Sequence, residues 1–143
     1  MDMYKKIVLA VDGSEASSNA VKHAIELAKN CKGTLIAVYV ITPIDVTDIE
    51  TFKPETLHDG LKREGEKILS ELKDRAGKEG VNVQTRIEDG IPDEKICEVA
   101  GESDADIIIM GSHGRTGFGK VFIGSVTERV ISKEKCRPVL VVR

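Results

Sequence analysis

Apolar and polar residues alternate along the chain in blocks that predict five β-strands separated by four α-helices. Short apolar runs predict the strands, and the run at 81–87 alternates residue by residue, as a strand with one wetter face does. In the blocks between strands, apolar residues recur every three or four positions, the spacing of an amphipathic helix. The predicted strands are residues 6–11, 34–41, 81–87, 107–110 and 139–142, and the predicted helices run from Ser14 to about Gly33, from 55 to about 79, from Pro92 to about 103, and from Gly124 to a stop before Pro138.

Individual residues predict where these helices are capped, weakened and packed. Ser14 is a suitable N-cap for the first helix, and Gly33 lies where a C-cap is expected. Gly60 and Gly65 should each weaken the second helix by roughly 1 kcal/mol. The apolar residues expected to pack the last helix onto the sheet are Val126, Val130 and Ile131.

The order of strands and helices predicts one α/β domain over residues 1–143, with a Rossmann-like, doubly wound parallel sheet and helices on both faces. We expect the strand order 3-2-1-4-5, with the strand at 81–87 at one edge. In that order the first and fourth strands are neighbours, and a ligand site is expected at their carboxyl ends. Asp12, after the first strand, should therefore lie beside Gly111, at the end of the fourth.

The loop after the fourth strand has the composition of a phosphate-binding loop. Gly111 and Gly114 lack Cβ atoms where the backbone leaves the strand, which permits positive φ and lets main-chain N–H groups approach an anion closely. Gly124 and Ser125 then open a helix whose first N–H groups have no intrahelical acceptor and whose dipole favours negative charge. Both ends of the loop therefore fit an oligophosphate.

The same loop approaches two better-known motifs without completing either. A Walker A loop needs a Ser or Thr after its lysine to hold Mg²⁺, but Val121 follows Lys120. A dinucleotide fingerprint starting at Gly117 has Phe122 at its third glycine position, and it lies in mid-loop instead of directly after a strand. Neither motif is assigned.

Composition narrows the class of protein. The 143 residues are 41% hydrophobic, enough for one domain with a substantial core, and the net charge of −3 argues against a general nucleic-acid binder. The N-terminus leads into an apolar run too short for a signal peptide, and no apolar stretch could cross a membrane, so a cytoplasmic protein is expected. Cys31, Cys97 and Cys136 are odd in number and widely spaced, and we expect three reduced, partly buried thiols without metal or catalysis.

The glycine loop resembles the signature G-2x-G-9x-G-[ST] of the universal stress protein family, matched here by Gly111, Gly114, Gly124 and Ser125. Residues 11–14 and 138–142 also resemble the family, so the resemblance spans essentially the whole chain. It implies that ATP, or ADP or AMP, binds with its adenine near the ends of the first two strands and its phosphates at the glycine loop. It also implies that Asp12 approaches the ribose, or a Mg²⁺ or Mn²⁺ ion on the phosphates.

The loop chemistry and the resemblance together give one set of expected nucleotide-binding residues. The set is Ala10, Val11, Asp12, Val40, Met110, Gly111, Ser112, His113, Gly114, Gly124, Ser125, Val126 and Thr127. Within it, Ser125, Val126 and Thr127 are expected to bind phosphate through backbone or hydroxyl groups. Arg115 and Lys120 are treated as auxiliary loop cations.

Several of these residues also have a purely structural role open to them. Ser125 and Glu128 match a capping box, which uses the hydroxyl and a helix N–H without any ligand. Asp12 could equally cap the first helix or a turn. His113 has no visible Asp partner and is not assigned as a general base, and Met110 fits the core as well as a ligand site.

Three functions fit the sequence. The leading hypothesis is an ATP-binding, nucleotide-dependent regulator of the stress response with slow or no hydrolysis, because the loop is complete but no catalytic set is visible. A metal-dependent nucleotide hydrolase or phosphotransferase, with Asp12 holding the metal and His113 assisting water, is the first alternative. The second is a nucleotide-independent dimeric interaction module.

The last predicted strand also predicts a partner. It has no following helix in the sequence and lies at an edge, where apolar side chains and unpaired backbone groups favour an antiparallel homodimer. The residues of this expected interface are Val139, Leu140, Val141 and Val142. No nucleic acid, membrane or downstream protein partner is assigned.

Overall fold

The computed structural model describes residues 3–43, 54–114 and 123–143, and it contains the predicted order of elements. All strand pairs are parallel, and the sheet order is β3-β2-β1-β4-β5, as predicted. The elements are β1 Lys6–Ala10, α1 Glu15–Cys31, β2 Thr34–Ile41, α2 Pro54–Lys78, β3 Asn82–Asp89, α3 Pro92–Glu102, β4 Ile107–Gly111, α4 Ser125–Ser132 and β5 Val139–Val142.

The core forms two layers because successive strand residues point to opposite faces of the sheet. Ile7 and Leu9 of β1 belong to the layer covered by α1 and α2, whereas Val8 belongs to the layer covered by α3 and α4. All three side chains are fully buried. Burial on both faces explains why β1, β2 and β4 are nearly unbroken apolar runs, and it confirms helices on both sides.

The ends of α1 confirm one predicted cap and correct the other. The N–H of Ser17 donates to Ser14 Oγ at 3.1 Å, so Ser14 is the N-cap. At the other end the left-handed C-cap residue is Lys32, with φ of 53°, not Gly33. Gly33 serves a different purpose, since a Cβ there would lie 2.6 Å from the carbonyl oxygen of Tyr4. Its role is close backbone approach at the start of β2.

The prediction for the packing face of α4 was partly wrong. Val130 is fully buried and Val126 packs against the same core layer, but Ile131 is 48% exposed. The buried face of α4 is centred near Val130, and Ile131, the next residue, is rotated about 100° away from Val130 around the helix.

The prediction of three reduced thiols was also wrong. Cys97 on α3 and Cys136, before β5, form a disulfide, and Cys31 is the free, buried cysteine. The two paired residues are 39 positions apart, and only the packing of α3 beside the α4–β5 connection brings them together.

The two glycines in α2 are expected to respond in opposite ways to alanine. A Cβ at Gly60 would meet nothing within 4 Å, whereas a Cβ at Gly65 would lie 2.5 Å from the Tyr39 ring. Gly60→Ala should therefore raise the free energy of unfolding by about 0.5 to 1 kcal/mol, because it restricts the unfolded chain. Gly65→Ala should lower it by about 1 to 3 kcal/mol, because the buried ring must move.

Urea unfolding of both variants beside the parent protein provides the measurement. Each variant serves as the control for the other, since both make the same change within one helix. Equal stabilisation by the two alanines would contradict the packing of Tyr39 on Gly65.

A candidate nucleotide site at the switch point of the sheet

A cavity of about 510 Å³ lies at the carboxyl ends of β1, β2 and β4. This is the position predicted for a ligand in the strand order observed here, and the volume is typical of small-molecule sites. The expected nucleotide-binding residues that line it are Ala10, Val11, Asp12, Val40, Met110, Gly111, His113, Gly114, Gly124, Ser125, Val126 and Thr127. Ser112 is the one member of that set that does not line the cavity.

The parallel pairing of β1 with β4 brings the two predicted halves of the site together. Beyond the paired strands, a Cβ at Gly114 would lie 2.8 Å from Asp12 Oδ2. The carboxylate therefore rests against the glycine loop, in the space that any larger residue at position 114 would occupy. The expected convergence of the two strand ends is present in the structure.

The loop glycines serve close approach, not positive φ. The positive-φ glycines in the described part of the chain are Gly13, Gly80 and Gly90, so Gly111 and Gly114 do not use the positive φ that glycine permits. A Cβ at Gly111 would lie 2.8 Å from backbone and side-chain atoms of Ala16. Gly111 thus allows α1 to cross the end of β4, while Gly114 leaves room for the Asp12 carboxylate.

A similar contact fixes the start of α4. A Cβ at Gly124 would lie 3.0 Å from the Cα of His113, and the Gly124 N–H donates to the carbonyl oxygen of Ser112 at 2.7 Å. The Thr127 hydroxyl donates to the carbonyl oxygen of Gly111 at 2.8 Å. The two ends of the loop are therefore joined to each other, although residues 115–122, including Arg115 and Lys120, lie outside the described residues.

The capping box that was the alternative role for Ser125 is absent. Helix α4 begins at Ser125, its N-cap is Gly124, and no side chain caps it. Ser125 is therefore the first helical residue, one position too late for its hydroxyl to act as a capping group. Because the first turn of a helix has no intrahelical acceptors, the N–H groups at the start of α4 are available to an anion in the cavity.

Thr127 differs from Ser125 in what it can offer a ligand. Its side chain is 3% exposed, and its hydroxyl hydrogen is already donated to Gly111. The backbone N–H of Thr127 is thus the group suited to an anion, and its side chain holds α4 against the end of β4. Of the hydroxyl groups of Ser125 and Thr127, only that of Ser125 is therefore available to contact a phosphate.

Asp12 has a structural role through one carboxylate oxygen, and its other oxygen has no hydrogen bond to the part of the chain that the structure describes. Its Oδ1 accepts from the N–H of Ser14 at 2.9 Å, and its own N–H donates to Ser17 Oγ at 3.2 Å. This is an Asx-type turn that positions the N-terminus of α1. The other oxygen, Oδ2, faces Gly114 and the cavity. A phosphate beside this carboxylate would need a cation between them, because like charges repel.

Among the described residues no cluster of three His, Cys, Asp or Glu side chains could hold a metal ion by protein ligands alone. Asp12 is a single carboxylate, so a Mg²⁺ or Mn²⁺ ion there would need phosphate oxygens and water as its remaining ligands. The residues present fit an ion that arrives with a nucleotide.

The imidazole of His113 is held by its neighbour. Its Nδ1 lies 3.0 Å from Ser112 Oγ, the hydrogen bond that orients the ring on the cavity wall. Within the described segments no carboxylate is hydrogen-bonded to His113, so the partner that usually orients a general base is not seen there.

The lining of the cavity also includes polar and apolar residues that sequence reasoning missed. The additional lining residues are Ser14, Ser17, Val38, Thr42, Pro92, Ile96 and Ile123. Pro92 and Ile96 come from the first two turns of α3, which follows the edge strand β3. Pro92 is the sequence signal that could have indicated them. Proline is favoured at the first position of a helix, and a helix that follows a parallel strand begins at the carboxyl edge of the sheet, where the site lies.

The fold and the cavity define a doubly wound α/β protein with an open ligand site at its topological switch point. Residues 3–143 match the model of the universal stress protein family, and the chain belongs to that family. No described helix is long and apolar enough to span a bilayer.

Individual relatives agree with this assignment. Universal stress protein MJ0531 of Methanocaldococcus jannaschii is 40% identical over 99% of this chain and 84% of the relative. The solved structure of MJ0577, from the same organism, has a TM-score of 0.82 at 38% identity and covers 98% of this chain and 96% of that one. A universal stress protein solved in complex with cAMP has a TM-score of 0.68 at 26% identity, over 99% and 98% of the two chains.

Proposed function

We propose that this protein is an adenine-nucleotide-binding regulator that binds ATP, or ADP or AMP, in the cavity between β1, β4 and α4. The observation that carries the proposal is the placement of Asp12 Oδ2 against Gly114, in the lining of the same cavity that the first residues of α4 also line. A related chain has been solved with a bound adenine nucleotide, cAMP, which supports this ligand class. Occupancy of the site would be the signal in the stress response.

The two ends of the cavity suit the two ends of such a ligand. Val40, Ile96 and Met110 provide apolar surface for a base, and the glycine loop and α4 provide N–H groups for phosphate. If three or four N–H groups each contribute about 1.5 to 3 kcal/mol toward a charged acceptor, the total before entropy costs is roughly 5 to 12 kcal/mol. Micromolar affinity, about −8 kcal/mol, is within reach once the base is buried.

We propose that hydrolysis is slow or does not occur. Rapid phosphoryl transfer requires a positioned water, a fixed metal and donors aimed at the transition state. The nearest imidazole, His113, shares its Nδ1 with Ser112 and is not oriented by a carboxylate among the described residues. The alternative of a metal-dependent hydrolase or phosphotransferase rests on Asp12 alone.

Titration calorimetry of the purified protein with ATP, ADP and AMP tests the proposal, together with mass spectrometry for nucleotide that co-purifies. We expect saturable binding with a Kd of about 1 to 100 μM. Absence of heat with all three nucleotides at millimolar concentration, in protein shown to be nucleotide-free, would reject the proposal. ATP turnover faster than about one per second would favour the enzyme alternative.

Asp12→Asn separates a metal role from a turn role. The amide oxygen of Asn can still accept the Ser14 N–H, so the turn before α1 should persist, but the negative charge is lost. With Mg²⁺ present, we expect ATP to bind about tenfold more weakly to the variant, a difference of about 1.4 kcal/mol. In EDTA, affinity should be unchanged or higher, because a charge that repels phosphate has been removed. Equal weakening in both conditions would contradict a cation at Asp12.

We further propose that the protein forms a homodimer through β5 and acts in the cytoplasm. β5 is hydrogen-bonded to β4 on one side and is an edge strand of the described sheet. Leu140 on this strand is 38% exposed, so the unpaired edge carries an exposed apolar side chain. Antiparallel addition of a second β5 would cover the edge and these side chains.

A further inference from the structure

Three contacts fasten α3 along its length to the segment between α4 and β5. Asp93 Oδ2 lies 3.2 Å from Lys133 Nζ, Cys97 is bonded to Cys136, and Asp104, just after α3, lies 3.3 Å from Arg137 through Oδ1 and Nη2. Asp93 and Cys97 are four residues apart and so share one face of α3. The disulfide is the central and only covalent contact of the three.

The two ion pairs by themselves stabilise the position of α3 only weakly. Asp93 is buried, and its Oδ1 has no hydrogen-bond partner among the described residues, so that carboxylate is only half satisfied. The Arg137 pair is on the surface, with the Asp104 side chain 85% exposed. Surface pairs contribute little to stability, and a buried carboxylate lacking one partner offsets much of the gain from the other. Ile96, Val99 and Ala100 pack α3 onto the sheet, and of its three contacts with the segment between α4 and β5 the covalent bond is the strongest.

The position of the disulfide allows it to exchange with solution reagents. Cys97 and Cys136 are both partly exposed, whereas Cys31 is buried at the end of α1, the helix that covers the other face of the sheet. The Cα atoms of the pair are 5.6 Å apart, within the usual range for a disulfide. Oxidation can therefore occur from the folded backbone, without a large rearrangement.

The geometry points to a reversible thiol–disulfide site at Cys97 and Cys136, oxidised by small-molecule disulfides such as oxidised glutathione, whose state sets how firmly α3 is held. Disulfides in cytoplasmic proteins are mostly transient or redox-sensing, so the proposed cytoplasmic location agrees with a reversible pair. In oxidation, one thiolate attacks the small disulfide and releases one small thiol, and the second cysteine displaces the other. Two electrons and two protons pass to the two small thiols.

A consequence for the nucleotide follows, and it rests on the proposed function. Ile96, next to Cys97, lines the cavity together with Pro92 from the same helix. The part of the cavity wall that would contact the nucleotide base therefore moves with α3. The oxidised form holds this wall in place before the ligand arrives, which removes part of the ordering cost of binding. Reduction should weaken nucleotide binding by about threefold to tenfold.

Thiol counting and intact mass test the redox site itself. After equilibration with oxidised glutathione, denatured protein should show one reactive thiol, from Cys31, and a mass lower by two hydrogens than that of the reduced protein. After a phosphine reductant, denatured protein should show three thiols, and folded protein should show two that react quickly. Three thiols after the oxidising treatment, or a mass increase from a bound glutathione in place of the internal bond, would overturn the site.

Nucleotide titration of both forms then tests the coupling. The double variant Cys97→Ser and Cys136→Ser should match the reduced form under every condition, and Cys31→Ala should keep the full difference between oxidised and reduced protein. Equal affinity of the oxidised and reduced parent overturns the coupling and leaves the proposed function intact. No binding to either form overturns both the proposed function and the coupling, while the thiol count still decides the redox site.

Hydrogen exchange gives a readout of the same attachment that needs no nucleotide. Amides in α3 and in residues 133–138 should exchange faster after reduction, whereas amides in α2, on the other face of the sheet, should not change. The melting temperature should fall by about 10 °C, as expected for opening a loop of this length. Unchanged exchange in α3 would contradict the fastening role of the disulfide.

Discussion

Replacing Gly114 by valine is expected to abolish nucleotide binding while the protein remains folded. A Cβ at this position would lie 2.8 Å from Oδ2 of Asp12, whose side chain is part of the cavity lining. The valine must displace that side chain and fill the space where a phosphate would approach the loop amides. Affinity for ATP should fall at least about a hundredfold, or about 3 kcal/mol.

We expect the Gly114→Val variant to remain folded because the Cβ of the valine contacts a side chain and no backbone atom. Gly114 is not among the positive-φ glycines, so valine can adopt its backbone conformation, and the nearest atom belongs to a side chain that can rotate. Gly111 would be a poor choice, since a Cβ there collides with the backbone of α1 and would destabilise the whole domain.

Calorimetry with ATP and thermal unfolding are measured on the same Gly114→Val sample. Gly77→Val is the matched control, because a Cβ at Gly77 meets nothing within 4 Å and the residue lies on α2, away from the cavity. Full nucleotide affinity in a folded Gly114→Val variant would contradict phosphate binding by the glycine loop. If its dimer and its regulatory effect in cells also persisted, the nucleotide-independent interaction module would be favoured.

Replacing Val141 by proline is expected to convert a dimer into a monomer. Ile108 N–H donates to the carbonyl oxygen of Pro138, and Ser112 N–H donates to that of Val142. Since backbone groups alternate in direction along a strand, those of Val139 and Val141 point away from β4. Proline at 141 removes an outward N–H that a twin strand would use, and edge strands tolerate this change. The dimer dissociation constant should rise at least about a hundredfold.

Light scattering across a dilution series measures this change, with Leu140→Lys as a second test of the same edge. Ile91→Lys is the control: Ile91 is 47% exposed, similar to Leu140, but it follows β3 at the opposite edge of the sheet. A parent protein that is monomeric at high micromolar concentration would reject the β5 dimer. A Val141→Pro variant that stays dimeric would move the interface to another surface.

Residue patterns along the chain were sufficient for the architecture. The apolar runs placed every strand to within about two residues, and the predicted order 3-2-1-4-5 is the observed one. These features are encoded locally, because helix and strand periods are properties of short windows and few topologies satisfy the connection rules. The same order then placed Asp12 beside the glycine loop, although the two are about a hundred residues apart.

The roles of particular side chains depended on their neighbours in space. Gly60 and Gly65 look alike in the sequence, but only Gly65 has the Tyr39 ring against it. The hydroxyl of Thr127 reads as a phosphate ligand until its bond to Gly111 is seen. Periodicity describes which face of an element is buried, not which atoms that face meets.

The sequence by itself determined the elements, their order in the sheet and the edge at which a ligand site lies, because these follow from short-range patterns and chain connectivity. The tertiary structure decided the Cys97–Cys136 bond, the α3 wall of the cavity, and the close contacts that require glycine at 111, 114 and 124. Each of these depends on how two distant segments pack. Contacts of that kind are set by the close packing of the whole core, and this packing cannot be read from any short stretch of the sequence.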